Sequence, residues 1–401
     1  MKILISGAGI AGPTLAYLLA NYGHEPTIVE HAPSLRTGGY VIDFWGIGYD
    51  IADKMGLIPQ LRERGYVAKE VRFVDSNGQR IGGFSTSAFG EALQDRYMSL
   101  RRGDLAAAIY SKIDGRVETL FSDSIASLVD GADGVTVNFA SGGERRFDLV
   151  FGADGLHSNV RNLVFGPQEI FEDYLGYKVA AIEVPGYRPR DEDVYVMYTE
   201  VGKQVARFAM HNGNTTVLFV YADKDDTTPH DLAGQKAAIH AVFEGDGWEC
   251  KPILAALDLA PEVYFDRVSQ IKMDSWTSRR VALLGDAAFC ASLLAGEGSA
   301  LAMIAAYVLA GELDLADGDY KTAFSNYEKL MQPFIAGKHK SARGFASSFA
   351  PKSEFALFLR NQISKLLSVP FIAHIAIGRS LNDNIDLPAY GDGGLPGGEP
   401  G

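Results

Sequence analysis

The sequence predicts a mixed α/β fold: a parallel-sheet domain that is interrupted by an inserted antiparallel sheet and followed by C-terminal helices. A β-rich run at residues 2–6, a helical stretch at 13–22 and a second β-rich run at 25–30 form a β-α-β unit. Residues 174–268 contain short alternating strands separated by turn residues, which is typical of an antiparallel sheet. A further buried strand is predicted at 280–284, and helical patterns dominate after it.

Composition excludes several classes of protein. The chain has 401 residues, which is enough for two or three domains. Its 37 Lys and Arg against 50 Asp and Glu give a net charge of −13, which argues against a nucleic-acid partner. Cys250 and Cys290 lack zinc-site or disulfide-framework spacing, so we expect no metal and a reducing, cytoplasmic location. Uncharged runs shorter than the roughly 20 residues of a spanning helix predict no stable membrane insertion.

The order of the segments predicts a discontinuous first domain. We assign residues 1–173 and 269–345 to this domain, and residues 174–268 to an inserted substrate-binding sheet. Residues 346–386 are predicted to form a C-terminal helical segment. Residues 387–401 are rich in glycine and have almost nothing apolar to bury, so we expect a disordered tail.

Glycine is abundant, and its placement after the first strand indicates a binding loop. Gly7 would permit a tight turn, Gly9 would let the backbone approach a pyrophosphate, and Gly12 would let the helix pack close to the strand. Glu30 ends the second strand and would accept hydrogen bonds from ribose hydroxyls, which favours FAD or NAD over NADP. The predicted cofactor-binding residues of this Rossmann-like unit are Gly7, Gly9, Ile10, Ala11, Gly12 and Glu30.

Three further motifs occur downstream. The run Arg102-Gly103-Asp104-Leu105 starts a predicted helix, and the run Gly152 to Arg161 (GADGLHSNVR) and the run Gly285 to Ala288 (GDAA) each follow a predicted strand. Taken alone, Asp154 is better explained as a helix N-cap and Arg161 as a surface ion pair, and only the ordered set of motifs favours a cofactor role.

The order and intervals of all four motifs, over about residues 1–345, resemble the class A flavin-dependent monooxygenases, the para-hydroxybenzoate hydroxylase-like family. Within that family, residues 36–56 are most similar to the tetracycline-inactivating monooxygenases. The resemblance implies a Rossmann-like FAD-binding domain. It also implies that NADPH or NADH acts as a transient reductant and that a flavin C4a-hydroperoxide transfers one atom of O₂ to an aromatic or polycyclic small molecule.

The resemblance also implies roles for individual residues. Arg102 would lie on the phosphate side of the flavin, Asp286 near the ribityl chain, and Asp154 in a motif linked with both FAD and NAD(P)H. Gly296 and Gly298 would let the backbone pass close to the isoalloxazine ring, where the helix beginning near Ser299 would stabilise negative charge. No catalytic residue is assigned.

Four positions depart from the family pattern: Phe289 stands for His, Ser292 for Pro, Glu297 for Gln and Ala300 for Asn. Two alternatives stay open, and the departures at Phe289 and Ala300 support the first of them. One is an FAD-dependent reductase or dehydrogenase that does not insert oxygen, and the other is a non-enzymatic flavoprotein that senses redox state.

Substrate residues are predicted from strand parity, because alternate residues of a strand share a face. Arg207 and Phe219 in the inserted sheet, and Phe44 near the first domain, are the predicted substrate-lining residues, and Phe44 also has an ordinary core explanation. His211 adjoins an Asn-Gly-Asn turn and is expected to face solvent. The oligomeric state is left open.

Overall fold

The computed structural model describes residues 1–36, 38, 40–86, 96–366 and 385–390. Within them the strands are, in chain order, β1 (Lys2–Ser6), β2 (Glu25–Glu30), β3 (Val41–Trp45), β4 (Glu70–Val74), β5 (Arg80–Ser85), β6 (Tyr97–Arg101), β7 (Glu118–Phe121), β8 (Ile125–Gly131), β9 (Gly134–Phe139), β10 (Glu144–Phe147), β11 (Leu149–Gly152), β12 (Glu172–Pro185), β13 (Val194–Glu200), β14 (Lys203–Ala209), β15 (Asn214–Ala222), β16 (Tyr264–Ile271), β17 (Thr277–Ser278) and β18 (Val281–Leu283).

The helices in the same residues are α1 (Ala11–Asn21), α2 (Gly46–Lys54), α3 (Ile58–Arg64), α4 (Arg102–Tyr110), α5 (Asn159–Val164), α6 (Leu232–Phe243), α7 (Cys250–Leu259), α8 (Asp286–Phe289), α9 (Gly298–Leu315), α10 (Tyr320–Phe349) and α11 (Glu354–Leu366). Two short 3₁₀ turns lie at Gln168–Ile170 and Leu293–Ala295.

A six-stranded sheet forms the first domain and confirms the predicted α/β class. Its strand order is β17-β18-β11-β1-β2-β7, and every neighbouring pair is parallel except β17 and β18. The central strand β1 buries Ile3, Leu4 and Ile5 completely, as expected for a parallel strand covered on both faces. The loops after β1, β11 and β18 therefore leave the sheet at one common edge.

Helix α9 is the most apolar helix in the described part of the chain. Its 18 residues satisfy the length and hydropathy of a membrane span, and 78% of that window is buried inside the protein. It packs against α1, α2 and α10. This burial is the pattern of a core helix, and it leaves α9 with its N-terminus near the ends of the parallel strands.

The second sheet has seven strands in the order β16-β12-β15-β14-β13-β4-β5. The predicted antiparallel insert supplies most of it, but β4 and β5 come from the part of the chain before residue 174. Strand β4 pairs with β13 in parallel, whereas the other neighbours are antiparallel. The insert also contains α6 and α7, where the sequence predicted strands only.

The two faces of this sheet have different neighbours. One face packs on α6 and α7, where Phe219 lies 5.3 Å from Phe243 between ring centroids. The opposite face carries Tyr195 and Phe208, whose rings stack at 4.4 Å, and Phe208 meets Tyr66 edge-on. This second face turns toward the first domain, because its cluster also includes Val41 of β3.

The chain beyond α11 differs from the expected disorder at residues 387–390. Tyr390 is 6% exposed, its ring lies 5.0 Å from that of Tyr307, and its hydroxyl donates to Glu312 at 2.8 Å. A Cβ added at Gly311 would lie 2.2 Å from the Tyr390 ring, so this glycine leaves the space that the ring fills. The prediction of disorder rested on the average composition of residues 387–401, and an average does not reveal a contact that is made by a single aromatic residue. The predicted helical segment at 346–386 is described for residues 346–366 and 385–386. Residues 367–384 and 391–401 lie outside the described residues.

Replacing this one side chain should destabilise the protein. We expect Tyr390→Ala to lower the free energy of unfolding by about 2–4 kcal/mol, because it empties a packed aromatic site against α9. The measurement is urea unfolding followed by tryptophan fluorescence. Asp386→Ala, at an exposed position of the same segment, is the control and should change stability by less than about 0.5 kcal/mol. Equal losses from both variants would contradict the packing role of Tyr390.

Candidate functional site

The loop after β1 is shaped by two glycines and left open at a third. Gly7 has φ +106°, and a Cβ there would lie 2.5 Å from the carbonyl oxygen of Ala153. A Cβ at Gly12 would lie 2.0 Å from the carbonyl oxygen of Gly7. At Gly9 a Cβ would meet only the end of the Arg102 side chain, at 3.5 Å. Packing therefore requires Gly7 and Gly12, whereas Gly9 leaves backbone accessible to a ligand.

Glu30 lies directly beside this loop. Its carboxylate accepts a hydrogen bond from the backbone N–H of Ala8 at 2.8 Å and another from Ala32 at 2.9 Å. Nδ1 of His31 lies 3.0 Å from one of its oxygens. The carboxylate is thus fixed at the end of β2 and holds the glycine loop in place from that side.

Arg102 and Asp286 approach the same edge of the sheet. Burial raises the pKa of Asp286, and the positive charge of Arg102 and a hydrogen bond from Cys290 oppose that rise. A Cβ at Gly298 would lie 3.6 Å from Oδ1 of Asp286, which places this carboxyl at the start of α9. The first, second and fourth sequence motifs therefore meet at the carboxyl edge of the parallel sheet, the usual ligand position in such sheets.

Asp154 and Arg161, from the third motif, form hydrogen bonds that connect the loop after β11 to neighbouring elements. Asp154 accepts hydrogen bonds from Ser158 Oγ, from the N–H of Val160 at 3.0 Å and from Ser6 Oγ at 3.2 Å. Burial raises the pKa of this carboxyl. These hydrogen bonds connect the loop after β11 to β1.

Arg161 is fully buried, so it is not the surface ion pair that was one explanation of this residue. Its guanidinium donates to the carbonyl oxygens of Leu156 at 2.6 Å and Ala287 at 2.8 Å. The side chain therefore connects the loop after β11 with α8.

The start of α9 carries the remaining predicted flavin residues. Gly296 adopts the left-handed conformation at φ +72°, Gly298 is the first residue of the helix, and Ser299 is buried. Within the described residues, the N-cap residue Glu297 makes no side-chain cap to this N-terminus, so its N–H groups and the positive end of the helix dipole are suited to a ligand.

The four departures from the family pattern are accommodated by packing. Phe289 is 1% exposed and its ring lies 4.6 Å from that of Trp276 in the core. A Cβ at Gly48 would lie 2.6 Å from that of Ala300, so a small residue at 300 lets α2 pack closely on α9. Ser292 Oγ accepts the N–H of Leu294 at 3.3 Å.

The fourth departure, Glu297, forms an ion pair with Lys338 of α10 at 2.8 Å. Both side chains are largely buried. The pair connects the residue before α9 to α10. The negative charge of Glu297, at a position where the family commonly has Gln, is therefore balanced by Lys338.

A small cavity of about 10 Å³, the space of one water molecule, lies between β3, α9 and α10. It is lined by three charged residues and three others: Asp43, Glu297, Lys338, Trp45, Ala300 and Leu301. Sequence reasoning missed Asp43 and Lys338. The available signal was a lone carboxylate in the apolar strand Val41–Trp45, at the same parity as Trp45.

The three predicted substrate residues do not face this cavity. Phe44 is fully buried on the other face of β3, against Tyr49. Arg207 forms ion pairs with Glu249 and Asp191, each at 2.7 Å, on the sheet face covered by α6 and α7. Phe219 lies on that face as well. All three have structural contacts, and none of these contacts supports a role in lining the substrate site.

His211 is exposed and pairs with Asp193 at 2.9 Å. Its solvent-facing position agrees with the expectation from the neighbouring turn. Among the described residues no group of three or more His, Cys, Asp or Glu side chains is arranged to hold a metal ion.

Comparison with known proteins connects this geometry to a family. The model of an FAD-binding domain family, FAD_binding_3, matches residues 1–316. A flavin-dependent monooxygenase from an unknown prokaryotic organism is 35% identical over 396 residues, covering 97% of this chain and 99% of that protein. A flavin-dependent monooxygenase of Legionella longbeachae serogroup 1 (strain NSW150) is 33% identical over 399 residues and covers 97% of this chain and 98% of its own.

Solved structures extend the likeness to the whole fold. The crystal structure of tetracycline destructase Tet(51) aligns with a TM-score of 0.81 and 31% identity, over 97% of this chain and 99% of that one. The match includes the domain that holds the four motifs and the seven-stranded sheet. The chain belongs to the class A flavin-dependent monooxygenases and is an FAD-dependent monooxygenase.

Proposed function

We propose that this enzyme consumes NADPH or NADH and inserts one atom of O₂ into an aromatic or polycyclic small molecule. The observation that carries the proposal is the convergence of the glycine loop, Arg102, Asp286 and the start of α9 beside a cavity of mixed aromatic and charged lining. When bound and reduced, FAD supplies the activation of O₂. The protein supplies binding, orientation and the exclusion of water.

The residues present fit FAD. The open backbone at Gly9 leaves room for the pyrophosphate, and Arg102, whose side chain ends beside Gly9, would balance its negative charge. Glu30 is held within reach of the loop and suits a ribose. At the other end, the uncapped N-terminus of α9 would hold the pyrimidine edge of the flavin and stabilise negative charge there.

Water exclusion is the second task of the protein, because flavin oxygen chemistry fails when water reaches the reacting atoms. The face of the large sheet that turns toward the first domain offers an aromatic wall formed by Tyr195, Phe208 and Tyr66. Tyr40 and Tyr264, with ring centroids 5.5 Å apart, close the contact between the domains near Arg102 and Asp286. Burial raises the pKa of Tyr40 to about 12, so its phenol stays neutral.

The substrate class is supported by the likeness to a solved structure. Tet(51) is named as a tetracycline destructase, and tetracycline is a fused-ring molecule with phenol and enol hydroxyls. The need for NAD(P)H and the two free, buried cysteines fit a cytoplasmic reaction.

A single set of measurements separates this proposal from a reductase and from a redox sensor. The holoenzyme is incubated with NADPH or NADH, isotopically labelled O₂ and a panel of phenols and polycyclic aromatics that includes tetracycline. We expect at least one compound to accelerate NAD(P)H oxidation and to acquire one labelled oxygen atom. Flavin reduction without label in any product would favour the reductase, and absence of NAD(P)H oxidation with all compounds would favour the sensor.

The glycine loop gives a residue-level test of the cofactor site. We expect Gly9→Val to abolish retention of FAD through purification, because the side chain would occupy the space in which the pyrophosphate approaches the backbone. Folding should survive, since a Cβ at Gly9 meets only the movable end of Arg102. The measurements are the flavin absorbance per polypeptide and circular dichroism.

Gly12→Ala is the matched contrast within the same loop. Its Cβ would collide with the carbonyl oxygen of Gly7, so this variant should lose stability as well as FAD. Retention of FAD by a folded Gly9→Val protein would contradict the assignment of the loop.

A further inference from the structure

The segment between α8 and α9 is attached to α10 at two consecutive residues. Nζ of Lys338 lies 2.8 Å from Oε1 of Glu297, the residue before α9. His339, the next residue of α10, places its Nε2 3.2 Å from the carbonyl oxygens of Phe289 and Cys290. Both ends of the segment are therefore fixed to the same turn of α10, and the ion pair has a defined position.

A buried amide from the seven-stranded sheet strengthens this attachment. Gln270 is fully buried, and its Nε2 donates to the carbonyl oxygens of Ala291 and His339, each at 2.8 Å. Burial lowers the pKa of His339, so its imidazole is neutral at pH 7. The charges at this junction therefore come from Glu297 and Lys338 and not from the histidine.

The ion pair is largely shielded from water. The side chains of Lys338 and Glu297 expose only 10% and 15% of their surface. The small cavity beside the pair is also bordered by Asp43. Burial raises the pKa of this carboxyl, while hydrogen bonds from three hydroxyl groups lower it. Because buried charges are screened less than exposed ones, a change of charge at either partner of the pair acts strongly on neighbouring groups.

Glu297 lies at a sensitive position, because it is the N-cap residue of α9. The helix dipole places roughly half a positive charge at this end, whereas an ionised carboxylate carries a full negative charge. Without a partner, Glu297 would therefore outweigh the dipole. Lys338 cancels the charge of the carboxylate, so the dipole remains as the net positive contribution at the start of α9.

We propose that Lys338 sets the redox potential of the bound flavin by neutralising Glu297 beside the start of α9. The inference rests on the proposed function, in which the start of α9 holds the pyrimidine edge of the flavin. Hydride transfer from NAD(P)H releases NAD(P)⁺ and brings two electrons and one proton to the flavin ring, so the ring gains one negative charge. A positive environment favours this reduced form, and an unpaired carboxylate disfavours it. Lys338 acts through Glu297 and is a positioning residue.

The test uses the FAD-loaded protein and two neutral replacements of similar length, Glu297→Gln and Lys338→Met. The potential of the bound flavin is measured at neutral pH by equilibration with a reference redox dye. We expect Glu297→Gln to raise the potential and Lys338→Met to lower it. Each shift should correspond to a tenfold or larger change in the reduction equilibrium, which is about 30 mV for a two-electron couple. A merely structural role of the pair predicts shifts of the same sign in both variants.

Two control variants isolate the effect of charge at this position. The double variant Glu297→Gln/Lys338→Met removes both charges, so its potential should return close to that of the wild type. Lys329→Met removes a charge from an exposed position of the same helix and should leave the potential unchanged. A double variant that shifts as far as either single variant would contradict compensation within the pair.

Folding and cofactor content are measured separately from the potential, because an unpaired buried charge destabilises a protein. The readouts are the flavin absorbance per polypeptide and the thermal midpoint. If Lys338→Met does not retain FAD, Glu297→Gln decides the question, since Gln is the residue that the family commonly has at position 297. An unchanged or lowered potential in Glu297→Gln would overturn the proposal. Failure of the wild type to incorporate labelled oxygen would instead refute the proposed function, and the sign of each shift would still be measured.

Discussion

The close contact between α1 and the loop after β1 is the constraint on which the site depends. No side chain fits between Gly12 and the carbonyl oxygen of Gly7, and none fits between Gly7 and the carbonyl oxygen of Ala153. The first contact brings the N-terminus of α1 to the end of β1, and the second brings the loop after β11 to the same point. Dense packing thus keeps side chains out of this space, and the N-terminus of α1 faces it as a position suited to an anionic ligand.

Helix α9 extends this arrangement into the rest of the molecule. A Cβ at Gly285, just before α8, would lie 3.4 Å from Ala11 and 3.5 Å from Ala302, so small residues bring three segments together behind the loop. The same helix meets α2 through Gly48 and Ala300. Its C-terminal half accepts the ring of Tyr390 over Gly311. One buried helix therefore connects the cofactor edge, the cavity and the last described segment of the chain.

The two faces of the seven-stranded sheet have different roles: one is covered by helices and the other contacts the first domain. Its outer face is occupied by α6, α7 and the ion pairs of Arg207, all of which stabilise the sheet itself. Its inner face reaches the first domain through polar contacts as well as aromatic ones. Tyr195 donates to Asp43, and Glu183 pairs with Arg101 at 2.7 Å. These contacts lie on β3 and β6, the two strands next to the cavity, so the relative position of the domains and the shape of the cavity are set together.

The class of fold and the predicted cofactor-binding edge follow from local sequence patterns. The Gly7 to Gly12 loop, Glu30 and the motifs at Asp154 and Asp286 could be predicted because each is local: a strand end, a glycine that permits a turn, and a side chain at a known offset. Parallel strands then bring these loops to one edge without further information.

Which side chains face the cavity depends on how the sheets and helices pack together, and local patterns do not contain that information. Strand parity groups residues by face, but it does not predict which face of the sheet a helix covers. In the structure Arg207 and Phe219 lie on the face covered by α6 and α7, whereas Tyr195 on the other face contacts Asp43. Likewise β4 and β5 join a sheet whose other strands begin about a hundred residues later, and Lys338 meets Glu297 across two helices. Such contacts depend on how separately formed elements dock, and docking is decided by the shape of the whole packed surface.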